Sequence, residues 1–233
     1  MAGKLRTFID TNVHYLEDIR QRLMWCVYVF IVVFGLGFFF SGSIIRGAVT
    51  FLSIENVSIV VTSPFQFLNL ASDIGILVAL IATIPFATLQ LFLFLRPALS
   101  KREWRMALLL VPAACALFAI GCTYGFVSLY YGLQLIADIN VSFGLENLWD
   151  VSLFIAQIAI TSMLLGAFFE FPILLLLASK LGLITKQALR NGRRLAYAGI
   201  IIIVALLPPT DGISLIVMSL PLILLYELSI LLA

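Results

Sequence analysis

Charge is scarce in this chain. Only 11% of its 233 residues are charged, 63% are hydrophobic, and the mean hydropathy is +1.15. A soluble domain is about a quarter charged and nearer half apolar. So much apolar surface cannot be hidden in one core, so most of it must face lipid. Histidine is scarcer still. His14 stands alone outside the long apolar runs, which excludes a His-based metal site or a His-assisted nucleophile within them. There is no HExxH and no glycine-rich phosphate loop, so no enzyme activity, metal or cofactor is expected. Cys26, Cys115 and Cys122 all fall in apolar runs and form no CxxC pair. They read as small packing residues, not as a disulfide or metal set. The basic stretches are short and flank apolar runs, which topology explains better than nucleic-acid binding does.

What is present is a series of long apolar runs. Before the first lies a polar segment, residues 1–22. Its polar lead is too long and too acidic for a cleavable signal peptide. Phe8, Ile9, Val13, Leu16, Ile19 and Leu23 recur three or four apart in several places, which predicts an amphipathic helix at the membrane surface. Six spans are expected, at about residues 23–40, 74–95, 106–131, 151–179, 195–208 and 213–232 of a single domain. The stretch 41–73 reads as a surface cap, with residues 57–62 extended and Ser63-Pro64 as a break. Residues 132–150 read as an acidic loop. The fifth run is shorter than the ~20 residues that cross a typical bilayer, so the membrane thins there or the helix end sits in a depression. Pro208, Pro209 and Gly212 keep the last two runs from merging into one helix.

Direction follows from charge. Thirteen of the fourteen Lys and Arg residues fall in the N-terminal segment, the loop 96–105 or the loop 180–194; Arg46 alone falls on the other side. The positive-inside rule puts both termini in the cytoplasm.

A few polar residues then need an explanation. Glu103 is the lone acid among Arg96, Lys101, Arg102 and Arg105. Taken alone it reads as a solvated charge worth little. Asp18 beside Arg20 and Arg22 reads the same way. Both lie on one side of the membrane, however, and two carboxylates near one surface can engage a pair of arginines through bidentate contacts. Within the spans stand Gln90, Glu170 and Glu227. An intramembrane acid has a partner and marks a wet cavity, or it serves packing as a hydrogen-bonded group. Glu227 lies close enough to the C-terminal end to reach the interface.

Several motifs recur in a known order. Tyr15-Leu16-Glu17-Asp18-Ile19-Arg20-Gln21-Arg22-Leu23 is similar to an H-L-x-E-L-R-x-R-L pattern. Ser63-Pro64-Phe65 precedes the second expected span, and the ten residues from Phe94 to Glu103 read F-x-x-P-A-L-x-x-x-E. Phe169-Glu170-Phe171-Pro172 follows in the fourth span, then Pro208, Asp211, Pro221 and Glu227. In this order and spacing the chain resembles the TatC family, the multispanning receptor subunit of the twin-arginine protein translocase. The resemblance runs from about Tyr15 to Glu227.

It implies an all-α membrane protein, a concave cup of six transmembrane helices with the last two short. It implies a receptor for the twin-arginine signal peptides of folded cargo. Asp18 and Glu103 match the acids of the binding site, Arg20 and Arg22 match arginines that shape the same surface, and Phe94 and Pro97 match residues that position the loop. Glu170 matches an acid on the concave face, where Gln90 is a further polar group. Asp211, Leu215 and Glu227 fall in the region that meets partners. The partners implied are single-span TatA- and TatB-type proteins and further copies of the chain, within the lipid bilayer of a bacterial or archaeal cytoplasmic membrane, with a thylakoid or mitochondrial inner membrane as the alternative, and with export driven by the proton-motive force.

The chain departs from the family pattern at four places. Tyr15 stands for a histidine, Asp18 for a longer glutamate, Leu215 for a glutamine common in the family, and Pro208-Pro209-Thr210-Asp211 permutes T-P-P-D. Two other readings compete: a proton-coupled small-solute transporter using Glu170, and a membrane scaffold without signal-peptide affinity. No internal repeat is evident, which weakens the transporter reading.

Overall fold

A computed structural model describes residues 2–51, 57–60, 63–208 and 212–232, and for residues 2–16, 49, 51, 59, 98, 102, 103 and 105–107 the backbone alone. Among these residues the chain is almost wholly helical. The helices are α1 (Ala2–Phe39), α2 (Ser41–Phe51), α3 (Gln66–Leu95), α4 (Lys101–Ser142), α5 (Val151–Lys180), α6 (Lys186–Asn191), α7 (Arg193–Ala205) and α8 (Gly212–Leu232). Two short strands, β1 (Val57–Val60) and β2 (Asn147–Asp150), complete it. Among the described residues five helices contain stretches long and apolar enough to cross a membrane: Glu17–Phe39, Gln66–Leu95, Leu108–Ser142, Val151–Lys180 and Gly212–Leu232.

The N-terminal segment and the first expected span form one helix, not two. No proline or glycine interrupts residues 4–34, and a change from polar to apolar composition does not itself end a helix. α4 likewise outruns the expected third span. It stops where Gly144 takes φ +76°, with Gly144 N–H donating to Val141 O and Leu145 N–H to Asn140 O. That pair of bonds is a Schellman stop, which needs the left-handed backbone glycine adopts freely. α7 has 13 residues and is only about 20 Å long at ~1.5 Å per residue.

α5 is the central element. Of its apolar window 56% is buried, against 6% for α1 at the periphery. It is apolar all round, as a helix surrounded by others must be. Its Phe154, Ile158, Leu165 and Phe169 meet Leu129 and Leu133 of α4, Leu70 and Ile74 of α3, Val204 of α7 and Met218 and Leu222 of α8 in one core. α1 reaches the bundle through α3, where Gly37 and Gly75 let the two backbones approach closely.

At one end of the bundle β1 and β2 pair in parallel, Val57 opposite Asn147 and Val60 opposite Asp150. The pair ties the α2–α3 connection to the α4–α5 connection. Asp150 fastens it: its carboxylate caps α5 by accepting from Ser152 N–H at 2.8 Å and Leu153 N–H at 3.1 Å, and accepts from Gln66 Nε2 at 2.6 Å. Asn147 donates to Ala137 O at 3.0 Å and accepts from Asn140 at 2.8 Å. Asp150→Ala is therefore expected to cost about 1–2 kcal/mol, as loss of an N-cap does. Asp150→Asn, which still caps, is expected to cost less; thermal unfolding in detergent compares the two.

Candidate functional site

The candidate site lies at the other end, where α3 hands over to α4. Asp18 and Arg22 are one helical turn apart on α1, so their side chains share a face. Arg22 Nε donates to Asp18 Oδ2 at 3.2 Å, and Arg22 Nη1 donates to Gln90 Oε1 at 3.3 Å. Gln90 sits five residues before the end of α3. One guanidinium thus bridges an acid on α1 and an amide on α3. The Asp18 side chain stays 36% exposed and that of Arg22 25%, so the group is reachable from outside.

Arg20 is not part of this bridge. Two residues turn a helix by about 200°, which separates Arg20 from Arg22. Arg20 is exposed and lines an open concavity of about 430 Å³ with Glu17, Gln21, Met24, Trp25 and Tyr28.

The loop is short and anchored. Residues Arg96–Ala98 form a single 3-10 turn, with Pro97 at its start, where a missing N–H costs nothing. Leu99 N–H closes the turn on Arg96 O at 3.2 Å. Leu95, Leu99 and Trp104 pack against Phe92, Ala114, Ile173 and Leu177, and the Arg96 guanidinium lies 5.4 Å from the centre of the Trp104 ring. Pro97 is exposed and Phe94 half-buried. Glu103 is the third residue of α4, in its first turn, where the helix dipole favours an acid. Its side chain lies outside the described residues, as do those of Arg102 and Arg105.

Glu170 is 2% exposed on α5. Its Oε2 accepts from the Thr88 hydroxyl of α3, and its Oε1 has no hydrogen-bond partner among the described residues. The carboxyl is thus enclosed, and it ties α3 to α5. Gln90, expected beside it, is instead committed to Arg22. Cys122 lies on the same side of α5: a Cβ placed on Gly166 would meet its sulfur at 2.4 Å.

Glu227 is engaged within the chain. It accepts from Arg193 Nη2 at 2.6 Å and from the Tyr197 hydroxyl, both on α7. Tyr226 stacks edge-on to Tyr197 and donates to Leu189 O at 2.9 Å. The short α7 is clamped to α8 by this cluster. Leu215 is partly buried in the first turn of α8, against the main core. Asp211, with Pro209 and Thr210, lies outside the described residues.

Sequence reasoning missed the partners Thr88, Arg193 and Tyr197. Each is an ordinary residue in its own helix, and only the packing of α3 on α5 and of α7 on α8 makes it a partner.

Comparison with known proteins places this architecture. A family model described as Sec-independent protein translocase protein (TatC) matches residues 14–221. A Sec-independent protein translocase protein TatC of Helicobacter pylori is 31% identical, covering 97% of this chain and 88% of the relative. One from Listeria innocua is 29% identical over 93% of this chain and 88% of its own length. A crystal structure of the twin arginine translocase receptor TatC in DDM superposes with a TM-score of 0.81 at 27% identity, covering 94% of this chain and 98% of that one. The chain is a multi-pass membrane protein that belongs to the TatC family of Sec-independent protein translocase proteins.

Proposed function

We propose that this chain is the signal-peptide receptor of a twin-arginine translocase. The observation that carries the reading is the placement of Asp18. Its carboxylate sits at the bundle end where α3 turns into α4, it is partly exposed, and it already holds one arginine. The first turn of α4, which bears Glu103, lies at that same end. Two acids so placed suit two neighbouring guanidinium groups, each taken edge-on by a carboxylate. The solved relative named as a twin arginine translocase receptor supports the same role.

The reading extends to the rest of the molecule. α7 is the fifth of six crossings, short because it spans a thinned bilayer, and the six helices form a cup with both termini on the cytoplasmic side. TatA- and TatB-type single-span proteins and further copies of the chain assemble with it, and the proton-motive force drives transport. Partner contact falls near the start of α8, around Leu215 and Asp211. The rival use of Glu170 in solute transport is disfavoured by its 2% exposure and its bond to Thr88.

The test is crosslinking of an Arg-Arg signal peptide to the protein in membranes, with a Lys-Lys peptide as control. Wild type is expected to capture the first and not the second, because lysine lacks the planar fork. Asp18→Asn is expected to reduce capture about tenfold, the weight of one charge-assisted hydrogen bond. Equal capture of both peptides by wild type sinks the receptor reading.

A further inference from the structure

Asp18 is already occupied. The guanidinium of Arg22 holds its Oδ2 through Nε alone, at 3.2 Å, and not through the two-pronged fork that gives arginine its strongest grip. The other side of that guanidinium is turned to Gln90 Oε1 at 3.3 Å. An arginine arriving from outside must compete with this resident one for the same carboxylate.

We propose that Gln90 is a positioning residue for Asp18: a second seat for the Arg22 guanidinium that leaves the acid free to take an incoming arginine. The inference rests on the receptor reading above and adds a residue to it. A guanidinium has five N–H donors and no acceptor, so when displaced it needs another acceptor or is left partly buried and unpaired. Arg22 is only 25% exposed, so water alone serves it poorly. The amide oxygen of Gln90 supplies that acceptor and, being neutral, holds Arg22 less firmly than a carboxylate would. It also joins α1 to α3. Occupancy of Asp18 is thereby felt on α3, five residues before the turn that leads to Glu103.

Gln90→Leu removes the second seat. Arg22 then holds Asp18 alone, and an Arg-Arg peptide is expected to bind about tenfold more weakly, one hydrogen bond to a charged group being worth roughly that factor. Gln90→Glu offers a charged seat, draws Arg22 off Asp18, and is expected to tighten binding severalfold. Gln90 acts only through Arg22, so in an Arg22→Ala background Gln90→Leu is expected to change nothing. Arg22→Ala itself removes the competitor, and is expected to bind more tightly than wild type.

The experiment measures binding of a fluorescent Arg-Arg signal peptide to the full chain in lipid nanodiscs, across wild type, Gln90→Leu, Gln90→Glu, Arg22→Ala and the Arg22→Ala/Gln90→Leu double variant. A tenfold loss in the first variant that vanishes in the double, with a gain in Gln90→Glu, supports the inference. If Gln90→Leu does not fold, Gln90→Glu and Arg22→Ala still decide: unchanged or weaker binding in Gln90→Glu overturns it. Loss of binding in Arg22→Ala overturns it too, since Arg22 is then a contact and not an occupant. A Lys-Lys peptide separates the two failures. Wild type that binds both peptides alike defeats the receptor reading; wild type that discriminates while the Gln90 variants match it defeats this inference alone.

Discussion

Glu103→Gln is expected to abolish capture of a twin-arginine signal peptide while the protein still accumulates in the membrane at its normal level. The choice of glutamine matters because Glu103 has a second, local role open to it. α4 begins at Lys101, and Trp104 N–H donates to Ser100 O at 2.8 Å, so Ser100 sits at the helix cap and Glu103 three residues on. Ser-x-x-Glu is the spacing of a capping box, which glutamine fills as well as glutamate. Glu103→Gln therefore keeps the helix start and removes only the charge. If the acid serves the helix, little changes. If it takes an arginine, a pair of charge-assisted bonds worth about 1.5–3 kcal/mol each is lost, and affinity falls about a hundredfold. Glu103→Lys adds repulsion and is expected to leave no measurable capture. Undiminished crosslinking in both variants rules Glu103 out of the site, whatever Asp18 does.

The fold was legible where the signal is local. Apolar runs located α3, α5 and α8, because a helix in lipid must present apolar residues on nearly every side. Ser63-Pro64 marked the turn before α3. Periodicity and charge did not carry the rest. β1 falls within residues 57–62, read as extended, but β2 lies in the stretch read as an acidic loop, and their pairing joins residues about ninety positions apart. The continuity of α1 was hidden by its change of composition at Leu23, which reads as a boundary although no residue there breaks a helix. α4 ran beyond the uncharged stretch because Asp138 can face outward on a helix as well as in a loop.

The candidate site divides in the same way. The i,i+4 spacing of Asp18 and Arg22 is visible in the sequence, and so is the cationic loop around Glu103. Gln90 looked like a mid-span polar group because its position in the run suggests nothing else. α1 crosses α3 at that level, and this turns it toward Arg22. The resemblance put Glu227 in the region that meets partners. The cation that meets it, Arg193, belongs to α7 and arrives only when the two short helices pack. An acid in an apolar run thus announces that a partner exists, and not which one.

Gly121→Ala is expected to be among the most damaging single-methyl additions at the described glycines. A Cβ at Gly121 on α4 would lie 2.7 Å from Phe169 Cγ, 2.8 Å from Gly166 Cα and 2.8 Å from Leu165 O. Two of those atoms are backbone of α5, so no side chain can swing aside to make room. The helices must part, and α5 cannot give way because it is packed into the core along most of its length. In lipid the association of helices rests on such close packing, since lipid tails solvate apolar side chains as well as another helix does. Overpacking of this kind costs about 3 kcal/mol, and valine costs more. Gly35 is the control: nothing lies within 4 Å of an added Cβ there, so Gly35→Ala is expected to be neutral or to stabilise by up to about 1 kcal/mol. Thermal unfolding of the purified variants in detergent compares them. A Gly121→Ala protein as stable as Gly35→Ala contradicts the close α4–α5 contact. Parting these helices also strains the Glu170–Thr88 tie between α5 and α3. The same variant is therefore expected to lose signal-peptide capture, though Gly121 lies far along α4 from Glu103 and touches neither acid.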